Sequence, residues 1–164
     1  MAQILERTRD ERAKYTLSLE AVAKAVQTHS CAPSEDLVEL FRLALFSFLV
    51  GNSDMHLKNI APLGDNNIRR LSPVYNLLNT KICMPSDTED CAISMAGTKS
   101  DVTWETFLEF AATAGIPARI AKAHIRTFRN AAQKLGELLD THSFLSEKDL
   151  AKFKATIKRG AAKL

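Results

Sequence analysis

The sequence predicts a mainly α-helical fold that carries one small β-hairpin. Three observations lead to this prediction: long segments with apolar residues every three or four positions, a wholly apolar run that stops at a glycine, and two short apolar segments around a Gly/Asp/Asn turn. The chain has 164 residues, of which 46% are hydrophobic and 25% charged, so it is long enough for one domain with a substantial core. We therefore expect a single domain over residues 1–164.

Composition also limits the class of protein. The N-terminal "MAQILERTRDERAKY" has no apolar segment typical of a signal peptide, and the longest apolar stretch, "LALFSFLV", is too short to span a bilayer. The odd number of cysteines, without metal-ligand spacing, is typical of reduced thiols in a cytoplasmic protein, and the four histidines are too scattered to predict a zinc site. These residues are Cys31, Cys83 and Cys91, and His29, His56, His124 and His142.

Two helices are predicted in the N-terminal part. Residues 17–30 carry apolar side chains at helical spacing, and Ser18 is a plausible N-cap. Residues 31–50 predict a stronger helix that begins near Pro33, is apolar on every face in its second half, and stops at Gly51. A helix that is apolar all round is expected to be buried. The apolar positions of the first helix are Leu19, Val22, Ala23 and Val26.

The middle of the chain is less regular. Residues 60–63 and 68–75 are short apolar segments on either side of the turn "GDNN" (64–67), which predicts a β-hairpin. The stretch after it contains Pro85 and the acidic "SDTED", which we interpret as a solvated loop. The segment "CAISMAG" (91–97) could form another strand.

Three further helices are expected toward the C-terminus. The segment 102–115 has Thr103 as a candidate cap and Gly115 as its end, and Pro117 suits the first turn of the next helix. The last helix begins at Ser146, which resembles the start of a capping box with Asp149. The predicted core-facing stripes are Ala121, Ile125, Phe128, Ala132, Leu135 and Leu139, then Leu150, Phe153 and Ile157.

The charge is unevenly distributed. Residues 117–164 carry eleven Lys/Arg and four Asp/Glu, a net +7, whereas residues 1–116 carry a net −4. One interpretation is a basic surface facing an acidic partner or nucleic acid; the other is that these are the solvated faces of amphipathic helices. This stretch has three aromatic residues, Phe128, Phe144 and Phe153, fewer than many single-strand binders use, so we expect no direct nucleic-acid binding.

The segment "GNSDMHLKN" (51–59) places polar residues directly after the buried helix. Asp54 and Asn59 are five positions apart in an irregular loop, where their side chains can point into one cleft. A carboxylate can orient a nucleophile or accept a hydroxyl proton, and an amide oxygen can ligate Mg²⁺. Protein kinases divide these roles between an Asp and an Asn at this spacing, although the spacing alone is a weak signal.

The full string is more specific. "GNSDMHLKN", followed by a hairpin and "LSPVYNLLNT", resembles the C-terminal domain of the HipA-type serine/threonine kinases, which are bacterial toxin kinases. The resemblance extends from about Leu17 to the final helix and includes "SFLSEKDLAKF". The matching positions are Asn52, Asp54, His56, Lys58 and Asn59, then Pro73, Tyr75, Leu77 and Leu78.

The resemblance implies a protein-kinase-like C-terminal lobe, with ATP and Mg²⁺ as cosubstrate and cofactor. It implies that Asp54 is the catalytic carboxylate and that Asn59 is a Mg²⁺ ligand. His56 is expected to brace the loop by hydrogen bonding, or simply to be a satisfied structural histidine. Lys58 could neutralise phosphate or project into solvent.

One position departs from the family pattern. Asn76 stands where the family has the metal-binding aspartate that is equivalent to the kinase DFG aspartate. An amide oxygen is a neutral and weaker ligand for Mg²⁺ than a carboxylate oxygen. We therefore expect weaker Mg·ATP binding and much reduced phosphoryl transfer.

The second departure is an expected absence: the sequence shows no sign of the N-terminal lobe that a kinase needs, with its phosphate-covering loop and its strand lysine. The six glycines are too dispersed to form a glycine-rich loop, so we expect a C-lobe that works with an N-lobe from the same gene or a separate subunit. In the family, a helix-turn-helix antitoxin binds the toxin, and aminoacyl-tRNA synthetases are among the substrates. A non-catalytic pseudokinase module that binds a protein partner is the alternative, and a DNA-associated helical protein is a weaker one, suggested by charge alone.

Overall fold

A computed structural model describes residues 1–5, 12–65 and 69–164. A short 3-10 helix, Arg12–Tyr15, comes before the first α-helix, and a second one covers Leu57–Asn59. The α-helices of this part of the chain are α1 (Leu19–His29), α2 (Pro33–Val50), α3 (Thr80–Cys83), α4 (Trp104–Thr113), α5 (Ala118–His142) and α6 (Glu147–Lys163). The strands β1 (Pro62–Leu63) and β2 (Arg70–Leu71) form one antiparallel pair. The predicted mainly helical fold with a small hairpin is confirmed.

Helix α2 lies at the centre of the fold, where it packs against α1, α5 and α6 and touches β2. Its residues Leu40, Phe41 and Leu45 are completely buried, which confirms the prediction drawn from its apolar second half. The Phe41 ring stacks on Phe110 and meets the edge of Phe107 at 5.9 Å between ring centroids. Full burial of one such side chain stabilises the fold by about 1.5–3 kcal/mol, so this cluster anchors α4 to α2.

The predicted helix ends are largely confirmed. Ser18 Oγ accepts a hydrogen bond from the Ala21 N–H at 3.3 Å and so caps α1. Thr103 is the N-cap of α4, where its N–H donates to Thr106 Oγ1 at 3.2 Å. Gly115 follows this helix with φ 74°, a left-handed conformation that favours glycine.

Helices α5 and α6 pack against each other and against α2. The predicted stripe of α5 faces inward, with Ala121, Ile125 and Ala132 buried and the remaining positions partly buried. Ile157 of α6 joins Ala132 and Leu49 of α2 in a second, smaller core. No helix in residues 1–5, 12–65 and 69–164 is both long enough and apolar enough to cross a membrane.

The hairpin is present but short. Pro62 pairs with Leu71 and Leu63 with Arg70. Residues 66 and 67 of the predicted turn, and residue 68 after it, lie outside the described residues. The buried Asp36 carboxylate of α2 holds β2 in place, because it accepts hydrogen bonds from the Arg70 Nε–H at 2.9 Å and the Leu71 N–H at 2.8 Å. It also accepts one from Ser30 Oγ at the end of α1, at 2.6 Å.

The segment 91–97 does not form the expected strand. Ser94 makes an isolated bridge to Ser18, and Met95 makes one to Thr98. The backbone turns back at Ala96 and Gly97, which both have positive φ, so this segment cannot continue as a strand. The four-residue helix α3, capped by Asn79, was not expected from the sequence.

Candidate functional site

The segment 51–59 leaves the core at the C-terminal end of α2 and precedes the hairpin. Gly51 caps α2 with φ 72°, and a Cβ at this position would lie 2.5 Å from the methyl group of Thr156 on α6. Both the left-handed backbone and the close approach to α6 therefore favour glycine. This turn brings the polar residues that follow to the surface above the buried helix.

Asn52 connects the segment to the chain after the hairpin. This residue is 2% exposed, and its Oδ1 accepts a hydrogen bond from the Asp54 N–H at 3.2 Å. Its Nδ2 donates to the backbone oxygen of Asn76 at 3.4 Å. One buried amide therefore holds the backbone of Asp54 and the backbone of Asn76 in a fixed relation.

The Asp54 carboxylate is partly accessible, with a side chain that is 33% exposed. Its Oδ1 accepts a hydrogen bond from the Tyr15 hydroxyl at 2.9 Å, and His56 Nε2 lies 3.8 Å from the same oxygen. The Asn59 Nδ2 donates to the backbone oxygen of Asp54 at 2.7 Å. The predicted residues Asp54, His56 and Asn59 therefore form one cluster.

His56 is buried and braced by its neighbours. Its ring is 5.2 Å from that of Tyr15, edge to face, and its Nδ1 is a buried atom without a hydrogen-bond partner among the described residues. Burial lowers the pKa of His56, and this effect outweighs the opposing effect of the Asp54 charge. The imidazole is therefore neutral at neutral pH and packs beside the carboxylate.

Tyr15 belongs to this cluster, and sequence reasoning missed it. Burial raises the pKa of the Tyr15 hydroxyl, and the hydrogen bond to Asp54 and the charge of Asp54 raise it further. The ammonium groups of Lys14 and Lys99 lie 5.0 Å and 6.0 Å from the centre of the Tyr15 ring. Tyr15 is 39 residues from Asp54 in a segment without clear periodicity, so no local pattern signalled its role.

Lys58 and Asn76 lie at the exposed rim of the site. The Tyr75 hydroxyl donates to the backbone oxygen of Lys58 at 2.6 Å, so the segment after the hairpin is tied to the loop a second time. Asn76 has φ 55°, a left-handed conformation that asparagine and aspartate tolerate better than most residues. Its side chain makes no hydrogen bond within the described part of the chain, and its backbone is held by Asn52.

A second network of hydrogen bonds holds the loop, through Ser53 and Gly51, to the first residue of α3 and to Asp87. The Ser53 N–H donates to Thr80 Oγ1 at 3.0 Å, and that hydroxyl donates to the Gly51 oxygen at 2.9 Å. The Ser53 hydroxyl also donates to Asp87, and Lys81 lies 3.5 Å from the Asp87 carboxylate. Burial raises the pKa of Asp87, but these hydrogen bonds and the lysine outweigh it, so the pKa is lowered overall.

The site contains few metal-binding side chains. Within the described residues, no group of three or more His, Cys, Asp or Glu side chains could hold a metal ion. Asp54 is the one carboxylate among the residues predicted for the site, and Asn59 and Asn76 offer neutral amide oxygens. Since Mg²⁺ favours carboxylate oxygens, this donor set fits the ion poorly.

Comparison with known proteins identifies the family. The sequence profile of the HipA-like C-terminal domain matches residues 1–135. The chain belongs to the HipA-like C-terminal domain family. The family expected from the pattern around Asp54 is therefore confirmed.

Individual relatives agree with this assignment. The chain is 32% identical over 94 residues to a protein of Sinorhizobium fredii named "Putative kinase Y4mE", and 30% identical over 125 residues to "Putative kinase Y4dM" of the same strain. These matches cover 54% and 66% of this chain but 22% and 30% of the relatives. This HipA-like chain therefore spans less than a third of the length of either relative.

The fold has a solved counterpart. A chain in the complex of HipA, HipB and operator DNA from the Shewanella oneidensis toxin–antitoxin system superimposes with a TM-score of 0.75. The superposition covers 94% of the chain described here and 38% of the Shewanella chain, at 17% sequence identity. At this level of identity, the comparison shows a shared fold.

Proposed function

We propose that this HipA-like chain is the catalytic C-lobe of a serine/threonine protein kinase. Such a kinase transfers the γ-phosphoryl group of ATP to a Ser or Thr hydroxyl of a protein substrate. The observation that carries the proposal is the position of Asp54, whose side chain is partly exposed and whose Oδ1 already accepts a hydrogen bond from the Tyr15 hydroxyl at 2.9 Å. A catalytic aspartate of a kinase accepts the hydroxyl of its substrate in the same way.

The neighbouring residues have positioning roles in this proposal. Asp54 orients the substrate hydroxyl and accepts its proton as the oxygen attacks phosphorus. The neutral His56 packs against Tyr15 and limits the movement of the carboxylate, and Asn59 closes the loop onto the Asp54 backbone. Lys58, exposed at the rim, is placed to approach a phosphate group.

The same residues argue against activity of the isolated chain. Asn59 and Asn76 offer amide oxygens where a kinase uses at least one metal-binding carboxylate, so their hold on Mg²⁺ is weak. The chain also matches less than a third of kinase-named relatives, whose remaining length is available for an N-lobe. We therefore place catalysis in an assembly with an N-lobe. The HipB of the Shewanella complex suggests a helix-turn-helix antitoxin as a second partner.

Asn76 favours one alternative function. A C-lobe that has lost its metal-binding aspartate can persist as a non-catalytic module that binds a protein partner. In that case Asp54 and His56 would be structural residues. The two functions predict different effects of Asn76→Asp: a catalytic C-lobe should gain affinity for Mg·ATP, and a non-catalytic module should not.

Nucleotide binding by the isolated chain tests the proposal. Asn76→Asp retains the left-handed backbone, because aspartate tolerates positive φ as asparagine does. We expect calorimetry to show that this change raises Mg·ATP affinity about tenfold, or about 1.4 kcal/mol. Asn130→Asp, an exposed change on α5, is the matched control and should have no effect.

The transfer assay completes this test. Incubation of the unaltered chain with labelled ATP, Mg²⁺ and casein should give no phosphate transfer. Clear transfer by the isolated chain would disprove the need for an N-lobe. Equal Mg·ATP affinities for the Asn76→Asp and Asn130→Asp variants would favour the non-catalytic module.

A further inference from the structure

A basic groove lies between α5, the start of α4 and the end of α6, apart from the residues proposed for catalysis. It has a volume of about 420 Å³. Its walls and floor include Trp104, Lys122, Ile125, Arg126, Arg129 and Lys163. The groove accounts for part of the positive charge of residues 117–164, which the proposed kinase chemistry does not use.

Only one of the four cationic side chains that line the groove has an ion pair within the described residues. Lys163 pairs with Asp90 at 3.2 Å. Lys122, Arg126 and Arg129 form no ion pair or hydrogen bond within the described residues, and no Asp or Glu lines the groove. The side chains that line the groove therefore carry a net positive charge, which favours a negatively charged ligand.

The floor of the groove is apolar. The Trp104 side chain is 42% exposed, which leaves a large part of its ring accessible, and the buried Ile125 lies beside it. A half-exposed tryptophan in a groove that cations also line is typical of an interaction site, because the ring can bury an apolar side chain while the rim pairs with charges.

The spacing of the cations fits a short peptide. Lys122, Arg126 and Arg129 are at positions i, i+4 and i+7, so they lie on one face of α5 over roughly 10 Å. Three residues of extended chain cover about the same distance. A duplex nucleic acid is held by more phosphate contacts than these three cations provide, and a single strand usually stacks on several aromatic rings.

From these features, we propose that the groove binds an acidic segment of a protein partner. The segment places one aromatic or aliphatic side chain on Trp104, and carboxylates on either side of it pair with Lys122, Arg126 and Arg129. The proposal is independent of phosphoryl transfer, since it uses none of the residues around Asp54.

Trp104 provides a direct test, because it is the only tryptophan of the chain. The probe is the labelled peptide Asp-Asp-Phe-Asp-Asp, and the control peptide has Ser in place of Phe. We expect the Phe peptide to change the Trp104 fluorescence saturably and to bind more tightly than the Ser peptide. Added salt should weaken the binding, since exposed charges are screened.

Charge reversal identifies the contact. Arg126→Glu with Arg129→Glu should weaken peptide binding at least tenfold, as measured by the anisotropy of the label. Lys134→Glu with Lys148→Glu reverses the same number of exposed charges outside the groove and should leave affinity almost unchanged. Circular dichroism verifies that both variants are folded.

Three outcomes would overturn the proposal. The first is unchanged Trp104 fluorescence at saturating peptide. The second is an equal loss of affinity in the two charge-reversed variants, which would indicate non-specific attraction. The third is tighter binding of a short DNA duplex that displaces the peptide, which would make the groove a nucleic-acid site.

Discussion

Tyr15 and Asp54 form the contact that defines the candidate site at the scale of residues. The Tyr15 hydroxyl donates to the carboxylate oxygen that a substrate hydroxyl would use in the proposed reaction. In this structure Tyr15 already occupies Asp54 Oδ1, so a substrate hydroxyl must either displace Tyr15 or bind to Oδ2 of Asp54. This hydrogen bond can be measured through the pKa of Tyr15, because it favours the protonated form of the tyrosine and so raises the pKa.

The ionisation of Tyr15 tests this contact. Tyr75→Phe leaves Tyr15 as the only tyrosine, so the ultraviolet absorbance of tyrosinate reports on it alone. We expect a titration midpoint above pH 10.0, raised by burial, by the hydrogen bond to Asp54 and by its negative charge. Asp54→Asn removes the charge, so the pKa should fall while the contribution of burial remains.

Asp140→Asn on α5 is the control for this titration, since its carboxylate pairs with Lys154 and does not touch Tyr15. This change should leave the midpoint where it was. An unchanged midpoint in the Asp54→Asn variant would contradict the contact.

The sequence predicted part of this cluster. Asp54, His56 and Asn59 could be found because they are close in the chain and follow a family pattern. Tyr15 could not, because the contact depends on how the chain before α1 folds back over the loop, and no local spacing encodes that. The positive φ of Asn76 was equally inaccessible, since it results from contacts of the folded chain.

At the scale of secondary-structure elements, Asp36 of α2 links its own helix to the end of α1 and to β2. Its carboxylate, 2% exposed, accepts hydrogen bonds from Ser30 after α1 and from Arg70 and Leu71 of β2. Burial raises the pKa of Asp36, but these hydrogen bonds outweigh burial and the pKa is lowered overall. A two-residue strand pair has little stability of its own, so this carboxylate is what holds the hairpin to α2.

Removal of this carboxylate should therefore be costly. Asp36→Ala leaves the Leu71 N–H and the Arg70 Nε–H without their acceptor, so the free energy of unfolding should fall by about 2–4 kcal/mol at pH 7. Chemical denaturation provides the measurement. Because the folded pKa lies below 3.8, the difference should be complete above that pH and shrink as the pH falls through the folded pKa.

Glu35→Ala is the matched control. Glu35 also pairs with Arg70, at 2.9 Å, but its side chain is 72% exposed. Its removal should lower the free energy of unfolding by less than about 1 kcal/mol. Equal losses in the two variants would disprove the role of Asp36.

A secondary-structure element could be predicted from the sequence when the residues that define it lie within its own segment. The long helices were predictable because apolar periodicity, caps and terminal glycines lie within each segment. The segment 91–97 was not, because its Ser94 oxygen accepts the Leu19 N–H at 2.8 Å from the start of α1, and this contact replaces a strand partner. Helix α3 is too short for its periodicity to be recognised.

At the scale of the whole molecule, two regions carry different chemistry. The loop that follows α2 carries the proposed phosphoryl-transfer residues, and the groove beside α5 carries unpaired positive charge. The two regions share no residue, so a partner in the groove and a substrate at Asp54 would not compete for the same side chains. The uneven charge was evident from the sequence. The grouping of positive side chains in one groove with Trp104 was not, because it results from the packing of α4, α5 and α6.

Phosphoryl transfer by a two-lobe protein tests the central claim most directly. The N-terminal part of the Sinorhizobium relative Y4mE would be fused before this chain carrying Asn76→Asp, and transfer from labelled ATP to casein would be measured with and without Asp54→Ala. We predict transfer by the fusion with Asp54, and a loss of at least 100-fold in its absence, the size expected for a general base. A folded fusion that transfers no phosphate, or that transfers it equally well without Asp54, would contradict the account.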